Sequence, residues 1–193
     1  MKKDKNSTRD KFNKDSKEGL VIINTGNGKG KTTAALGLAL RAAGHDMKVL
    51  ILQFIKSGRV SGEAKVITER LRPLVDIEQL GKGFIRFKNG KPDPTGEQIK
   101  NARDSFKYAS DKIESNKYDL IVLDEINNLV DYGMLKVEEV AEIIKNRPKG
   151  ICLVLTGRNA SPELIDIADT VTEMKEIKHV FRKGIKARKG IEY

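Results

Sequence analysis

Gly26-Asn27-Gly28-Lys29-Gly30-Lys31-Thr32-Thr33 joins two stretches of different character. Before it runs a short apolar segment, Leu20-Val21-Ile22-Ile23. After it comes a helical pattern, Thr33-Ala34-Ala35-Leu36-Gly37-Leu38-Ala39-Leu40. Strand, glycine-rich turn and helix together form the setting of a phosphate-binding loop. Glycines let backbone N–H groups turn inward around an anion without Cβ clashes. The helix then presents its positive N-terminus to the same anion. Gly26, Asn27, Gly28, Lys29, Gly30, Lys31, Thr32 and Thr33 are therefore candidate ATP contacts. Lys31 can reach the outer phosphates, and the Thr32 hydroxyl can hold Mg²⁺.

The spacing departs from the usual pattern. In G-x-x-x-x-G-K-[ST] the first glycine would fall on Thr25; here it is Gly26, so the glycine frame is one residue shorter.

Composition bounds the class. The chain has 193 residues, 38% hydrophobic and 5% aromatic, with no Trp. That suits one compact domain, expected over 19–193. No apolar run is long enough to span a bilayer, and no signal-peptide core is evident. The single cysteine, Cys152, excludes an internal disulfide and a multi-cysteine metal site. It lies in the apolar run Ile151–Leu155, where buried packing is its expected role. These features point to a reducing cytoplasm. The formal net charge of +10 favours anionic partners. The lysines are scattered and few aromatics interleave with them, so nucleic acid is not the expected partner. Residues 1–18 are polar and basic and read as a flexible arm.

Along the chain, strands and helices alternate. A first helix is expected over Lys31–Ala43, stopped at Gly44, a glycine C-terminal cap. Arg41 lies near its end. Met47–Gln53 reads as a strand covered on both faces, followed by a loop, Phe54–Gly62, that holds Lys56, Gly58 and Arg59. Glu63–Leu71 is expected to be helical, and Val75–Leu80 a short strand. Gly81–Pro94 is a long loop carrying Phe84 and Phe87. Thr95 can cap a helix running to Glu114, with Ile99, Ala102, Phe106, Ala109 and Ile113 on its apolar face. Helices are also expected over Val137–Asn146 and Pro162–Ala168, the latter capped by Ser161. Strands are expected over Ile151–Leu155 and Thr170–Met174. The pattern specifies an α/β fold, a mostly parallel sheet with helices on both faces, in a P-loop (RecA-like) architecture.

Tyr118-Asp119-Leu120-Ile121-Val122-Leu123-Asp124-Glu125 is the second chemical landmark. An apolar strand ending in an acid is the Walker B arrangement. It aims Asp124 at the metal held by Thr32, directly or through water, and Glu125 can face the nucleotide. Arg158, in Thr156-Gly157-Arg158, comes at a strand's carboxyl end on the same sheet edge. His179 has no nearby His or Cys in sequence, so it has no support as a metal ligand.

Several segments together resemble the P-loop corrinoid adenosyltransferases. They are the loop Gly26–Ala35, Arg41-Ala42-Ala43-Gly44-His45, Val122–Glu125, Thr156-Gly157-Arg158, Asp166–Met174, and the tail Lys178-His179-x-Phe181-x-x-Gly184-x-x-Ala187-x-x-Gly190-Ile191-x-Tyr193. The resemblance runs from about residue 19 to the end. It implies transfer of the 5′-deoxyadenosyl group of ATP to Co(I) of a corrinoid, with triphosphate as the leaving group. It implies ATP and Mg²⁺, a corrinoid substrate, a Co(II) reductant such as a flavoprotein, and a homodimer. Lys31, Glu125 and Arg158 are the implied catalytic groups, with Arg41, Glu125 and Arg158 among the ATP contacts and Thr32 and Asp124 at the metal. In the family an aromatic pair in the loop after the third strand meets the corrin and helps remove its lower ligand. Phe84 matches one position of that pair. Arg86 stands where the second aromatic, often Trp, is found, and Phe87 follows it as the candidate second contact. The competing reading, from residues alone, is a P-loop ATPase or nucleotide-binding regulator acting on nucleic acid.

Overall fold

The computed structural model describes residues 18–56 and 61–191. All but the last residue of the expected arm, the loop residues Gly58 and Arg59, and Tyr193 lie outside the described residues. Six parallel strands make one sheet: β1 (Val21–Thr25), β2 (Val49–Gln53), β3 (Val75–Gln79), and, after the two-residue strands β4 (Phe87–Lys88) and β5 (Lys91–Pro92), β6 (Leu120–Asp124), β7 (Cys152–Thr156) and β8 (Thr170–Glu173). Their order is β3-β2-β6-β7-β1-β8. All six run the same way, so their carboxyl ends share one edge of the sheet.

Alternating side chains sort the apolar residues of the strands onto two faces. Leu50, Leu52, Ile121, Leu123, Leu153 and Leu155 pack in one cluster with Ala102, Ala109 and Ile113 of α3 (Gly96–Glu114), with α4 (Ile126–Asp131) and with α5 (Val137–Asn146). Val49, Ile51, Val122 and Val154 pack in the other with α1 (Lys31–Ala43). The α1 contacts are Ala35, Ala39 and Ala42, small residues that bring the helix close to the sheet. Both faces are covered, as the apolar β2 and β6 require. β8 is exposed along its whole length, at the edge of the sheet.

Several expected elements shift. The Gly44 cap of α1 has φ −64°, in the right-handed region; the left-handed residue of that turn is Asp46. The Glu63–Leu71 helix begins at α2 (Gly62–Val66), capped by the Ser61 hydroxyl, and widens to π geometry over Ile67–Leu71. α3 has the expected Thr95 cap, completed by Gln98 as a capping box. α6 (Pro162–Asp166) ends short of Ala168. Cys152 is half-buried rather than buried, its Sγ accepting from the Leu20 N–H at 3.4 Å. Gly81–Pro94 contains the β4–β5 ribbon, closed at its base by an Asp93 N–H to Arg86 carbonyl bond. α4 was not expected, although Ile126, Leu129 and Val130 have helical spacing.

Candidate active site

The register of the parallel strands puts a row of polar residues along the carboxyl edge. Gln79 pairs with Gln53, Gln53 with Asp124, and Thr156 with Asn24. The phosphate loop leaves β1 at this edge. α1 starts at Lys31, preceded by Gly30 at φ 110°, with no side-chain cap and no acid in its first turn. By contrast α2, α3 and α6 are capped by Ser61, Thr95 and Ser161 and begin with Glu63, Glu97 and Glu163. The first-turn N–H groups of Lys31, Thr32 and Thr33 belong to the helical positions that have no carbonyl of their own to bond. That end of α1 suits an anion.

The loop leans on the chain leaving β8. The Gly28 N–H donates to the Met174 carbonyl at 2.6 Å. A Cβ on Gly26 would come within 2.5 Å of that carbonyl oxygen, and one on Gly28 within 2.7 Å. These two glycines are therefore required by the close approach of Met174, in addition to any phosphate. The Lys31 ammonium lies across the loop, donating to the carbonyls of Gly26 at 2.6 Å and Gly28 at 2.7 Å. Burial lowers its pKa, and the Arg158 guanidinium adds to that; Glu125 and Asp124 oppose.

Asp124 is 0% exposed and fully hydrogen-bonded. Its Oδ1 accepts from the hydroxyls of Thr32 at 2.8 Å and Thr156 at 2.7 Å, and its Oδ2 from Gln53 Nε2 at 3.0 Å. Gln53 Oε1 accepts in turn from Gln79 at 3.2 Å. The Thr32 proton points to Asp124, so the oxygen's lone pairs are left for a cation. This fits Mg²⁺, which keeps most of its water and takes few protein ligands. Asp124 has no accessible surface, so its support for such a cation would come through the orientation of Thr32. Among the described residues no cluster of three or more His, Cys, Asp or Glu could hold a metal.

Glu125 stands between β6 and α4 with φ 70°, a left-handed conformation that a glutamate adopts only under constraint. Its N–H donates to the Thr156 hydroxyl at 2.8 Å, so Thr156 links it to Asp124. Its Oε2 is buried with no hydrogen-bond partner among the described residues. Burial first, and the Asp124 charge second, push its pKa up to about 7; Lys56, Lys31 and Arg158 oppose. Lys56 also pairs with Glu63 at 3.1 Å.

The raised pKa predicts a pH dependence. Between about pH 4.5 and 7 the folded chain binds a proton at Glu125 that the unfolded chain releases, so stability falls as pH rises through that window and is level above it. Glu125→Gln should remove that slope, raising the melting temperature at pH 8 while leaving it nearly unchanged at pH 5. Melting curves of the two proteins across pH 5–8.5 check this; parallel profiles would contradict it.

Arg158 is exposed on the loop after β7, where its N–H donates to Asn128 Oδ1 at 2.6 Å. Gly157, at φ 136°, makes the approach possible: a Cβ there would meet Asn127 and Asn128 at 2.8 Å. Lys31, Thr32, Asp124, Glu125 and Arg158 are thus brought together at one edge. Arg41 is not; it lies exposed in the last turn of α1, ~15 Å along the helix from Lys31. Phe84 is 88% exposed and Phe87 58% exposed. Arg86 is exposed between them. The Phe87 ring meets Tyr132 edge-on, with centroids 5.7 Å apart at 89°. Sequence reasoning missed Tyr132 and Gln53. The only signal for Gln53 was a polar residue closing an apolar strand. A groove of about 440 Å³ between α5 and α6, away from this edge, is lined by Glu138, Glu142, Glu163 and Lys145 among others.

Residues 17–193 match the family model described as ATP:corrinoid adenosyltransferase BtuR/CobO/CobP. The chain belongs to this family. The expected α/β fold and transferase class are borne out. The corrinoid adenosyltransferase of a Sinorhizobium species is 37% identical over 192 residues, covering 98% of this chain and 88% of that protein. Those of Pseudomonas aeruginosa and Escherichia coli K12 are 38% and 35% identical over 175 residues. They cover 91% of this chain and 84% and 86% of their own lengths. No helix among the described residues of this adenosyltransferase-family chain is long and apolar enough to cross a membrane.

Proposed function

We propose that this chain transfers the 5′-deoxyadenosyl group of ATP to Co(I) of a corrinoid, releasing triphosphate, in adenosylcobalamin biosynthesis or corrinoid salvage. The observation that carries the reading is the meeting of the Lys31–Thr32 loop with Asp124, Glu125 and Arg158 at one sheet edge, beside a loop bearing exposed Phe84 and Phe87. The names of the relatives support it.

In the step proposed, an electron pair on Co(I) attacks C5′. The Co–C bond forms, the C5′–O bond breaks, and its electron pair leaves on triphosphate. Charge grows on the leaving group, so the chain's part is electrostatic: Lys31, the first-turn amides of Lys31, Thr32 and Thr33, and Arg158 collect it. Thr32, oriented by Asp124, would hold Mg²⁺, whose charge would add to that neutralisation. No proton has to move, so Glu125 acts as a nucleotide contact rather than as a general base. Arg41 is a proposed ATP contact for a part of the nucleotide remote from Lys31. The corrinoid partner, a flavoprotein-type Co(II) reductant, a homodimer and a cytoplasmic setting complete the reading.

The test is the product. ATP and chemically prepared Co(I) corrinoid should yield a light-sensitive adenosylcorrinoid and triphosphate in equal amounts. ADP and phosphate, with no cobalt–carbon bond, would return the chain to the ATPase reading.

Phe84 carries a further prediction. An axial ligand makes Co(II) harder to reduce, because it donates into the orbital that must accept the electron. Apolar side chains on that face exclude the ligand and water. Phe84→Ala should slow adenosylation at least about tenfold when Co(II) must be reduced in the site, and much less when Co(I) is supplied in solution. Phe84 is exposed, so the substitution should leave the melting temperature unchanged. Equal losses under both conditions would remove the ligand-excluding role.

A further inference from the structure

α4 spans the site from end to end. Glu125 caps its N-terminus and Tyr132 its C-terminus. The two are about two helical turns apart, ~10 Å, and share a face with Asn128 between them. The Arg158 loop docks on the middle of that face through the Arg158 N–H to Asn128 Oδ1 bond of 2.6 Å. At the far end the Tyr132 ring meets Phe87 edge-on. The Tyr132 hydroxyl lies within the fields of Asp131, Arg158 and Glu125, with burial the largest influence on it.

The two rings differ in how they are mounted. Tyr132 is held by its N–H to the Asn128 carbonyl at 2.9 Å. The turn after it is pinned by a Met134 N–H to Leu129 carbonyl bond of 2.9 Å and by the buried Met134 and Leu135. Phe87 sits on a two-residue ribbon at the surface and stays 58% exposed even in this contact. Tyr132 packs against the main core, but Phe87 is no part of that cluster, so core packing does not account for the Phe87 contact. An exposed ring seated edge-on against a half-buried one suits a large flat π-ligand.

Resting on the functional reading above, we infer that Tyr132 is a positioning residue of the corrinoid site. It fixes the Phe87 ring relative to Glu125 and Arg158, and so sets how the macrocycle lies against the nucleotide. α4 acts as the spacer: one end belongs to ATP, the other to the corrinoid.

The test is a titration of cob(II)alamin into the ATP-loaded protein, followed by absorbance and by the electron paramagnetic resonance of Co(II). Tyr132→Ala should weaken corrinoid binding about tenfold, the scale of one aromatic pair, and leave ATP affinity within about twofold. Tyr132→Phe, which keeps the ring, should recover most of the loss. Phe87→Ala should match Tyr132→Ala, and the double variant should add little, because the two act as a unit. Melting temperatures and ATP affinity establish that each variant is folded. Unchanged corrinoid binding in folded Tyr132→Ala, equal weakening of ATP and corrinoid, or fully additive losses would overturn the inference. A wild-type protein that binds ATP but no corrinoid would instead overturn the functional reading on which the inference rests.

Discussion

Lys31→Ala should lower adenosyl transfer by about a hundredfold to a thousandfold at saturating ATP, the usual loss when one preorganised charge-stabilising contact is removed. In this fold the ammonium is already held over the loop by the carbonyls of Gly26 and Gly28, so little reorganisation separates its resting place from the phosphates. Burial and Arg158 both disfavour its charge, which makes an incoming polyanion a stabilising partner. Lys31 is no part of the apolar core, so far-ultraviolet circular dichroism and the melting temperature should match the wild type. Near-full turnover in a folded Lys31→Ala protein would mean that the triphosphate is bound elsewhere.

Asp124→Leu should be the most damaging single substitution, because it removes activity and stability together. The carboxylate is fully buried and takes bonds from Thr32, Thr156 and Gln53. An apolar replacement strands those donors, and an unmet buried donor costs about 1–3 kcal/mol. The hydroxyls can turn to other partners, so the sum is on the order of 3 kcal/mol. For a chain of this size that lowers the melting temperature by ~10 °C. Activity should fall further than stability explains, since Thr32 loses the acceptor that turns its lone pairs outward. Activity measured well below the melting temperature separates the two effects. Unchanged activity in folded Asp124→Leu would remove Asp124 from the metal's support.

Much of this was legible from residues alone. The loop, the strand ending in Asp124 and the alternation of elements specified the parallel sheet, because glycine geometry, charge and hydrophobic period all pointed the same way. α1 began and ended where its pattern indicates, at Lys31 and Ala43. What escaped was set by contacts distant in sequence. The Gly26 and Gly28 requirement comes in part from Met174. The left-handed Glu125 is forced by the turn that joins β6 to α4 and by the Thr156 bond. Gln53 becomes a partner of Asp124 through strand register, which a single strand does not announce. Tyr132 meets Phe87 only because the Gly81–Pro94 loop folds back as a ribbon. Cys152 looked buried from its apolar neighbours, yet it is the first residue of β7, where cover from both layers is incomplete.

In the proposed reaction this loop presents C5′ of ATP, and not the γ-phosphorus, to the attacking atom. ATP carrying ¹⁸O at the oxygen that bridges C5′ and the α-phosphorus tests it directly. With Co(I) corrinoid as acceptor, the C5′–O bond breaks, so all of the label should appear in triphosphate and none in the adenosyl product. Label retained in ADP, with unlabelled orthophosphate released and no adenosylcorrinoid formed, would contradict the account.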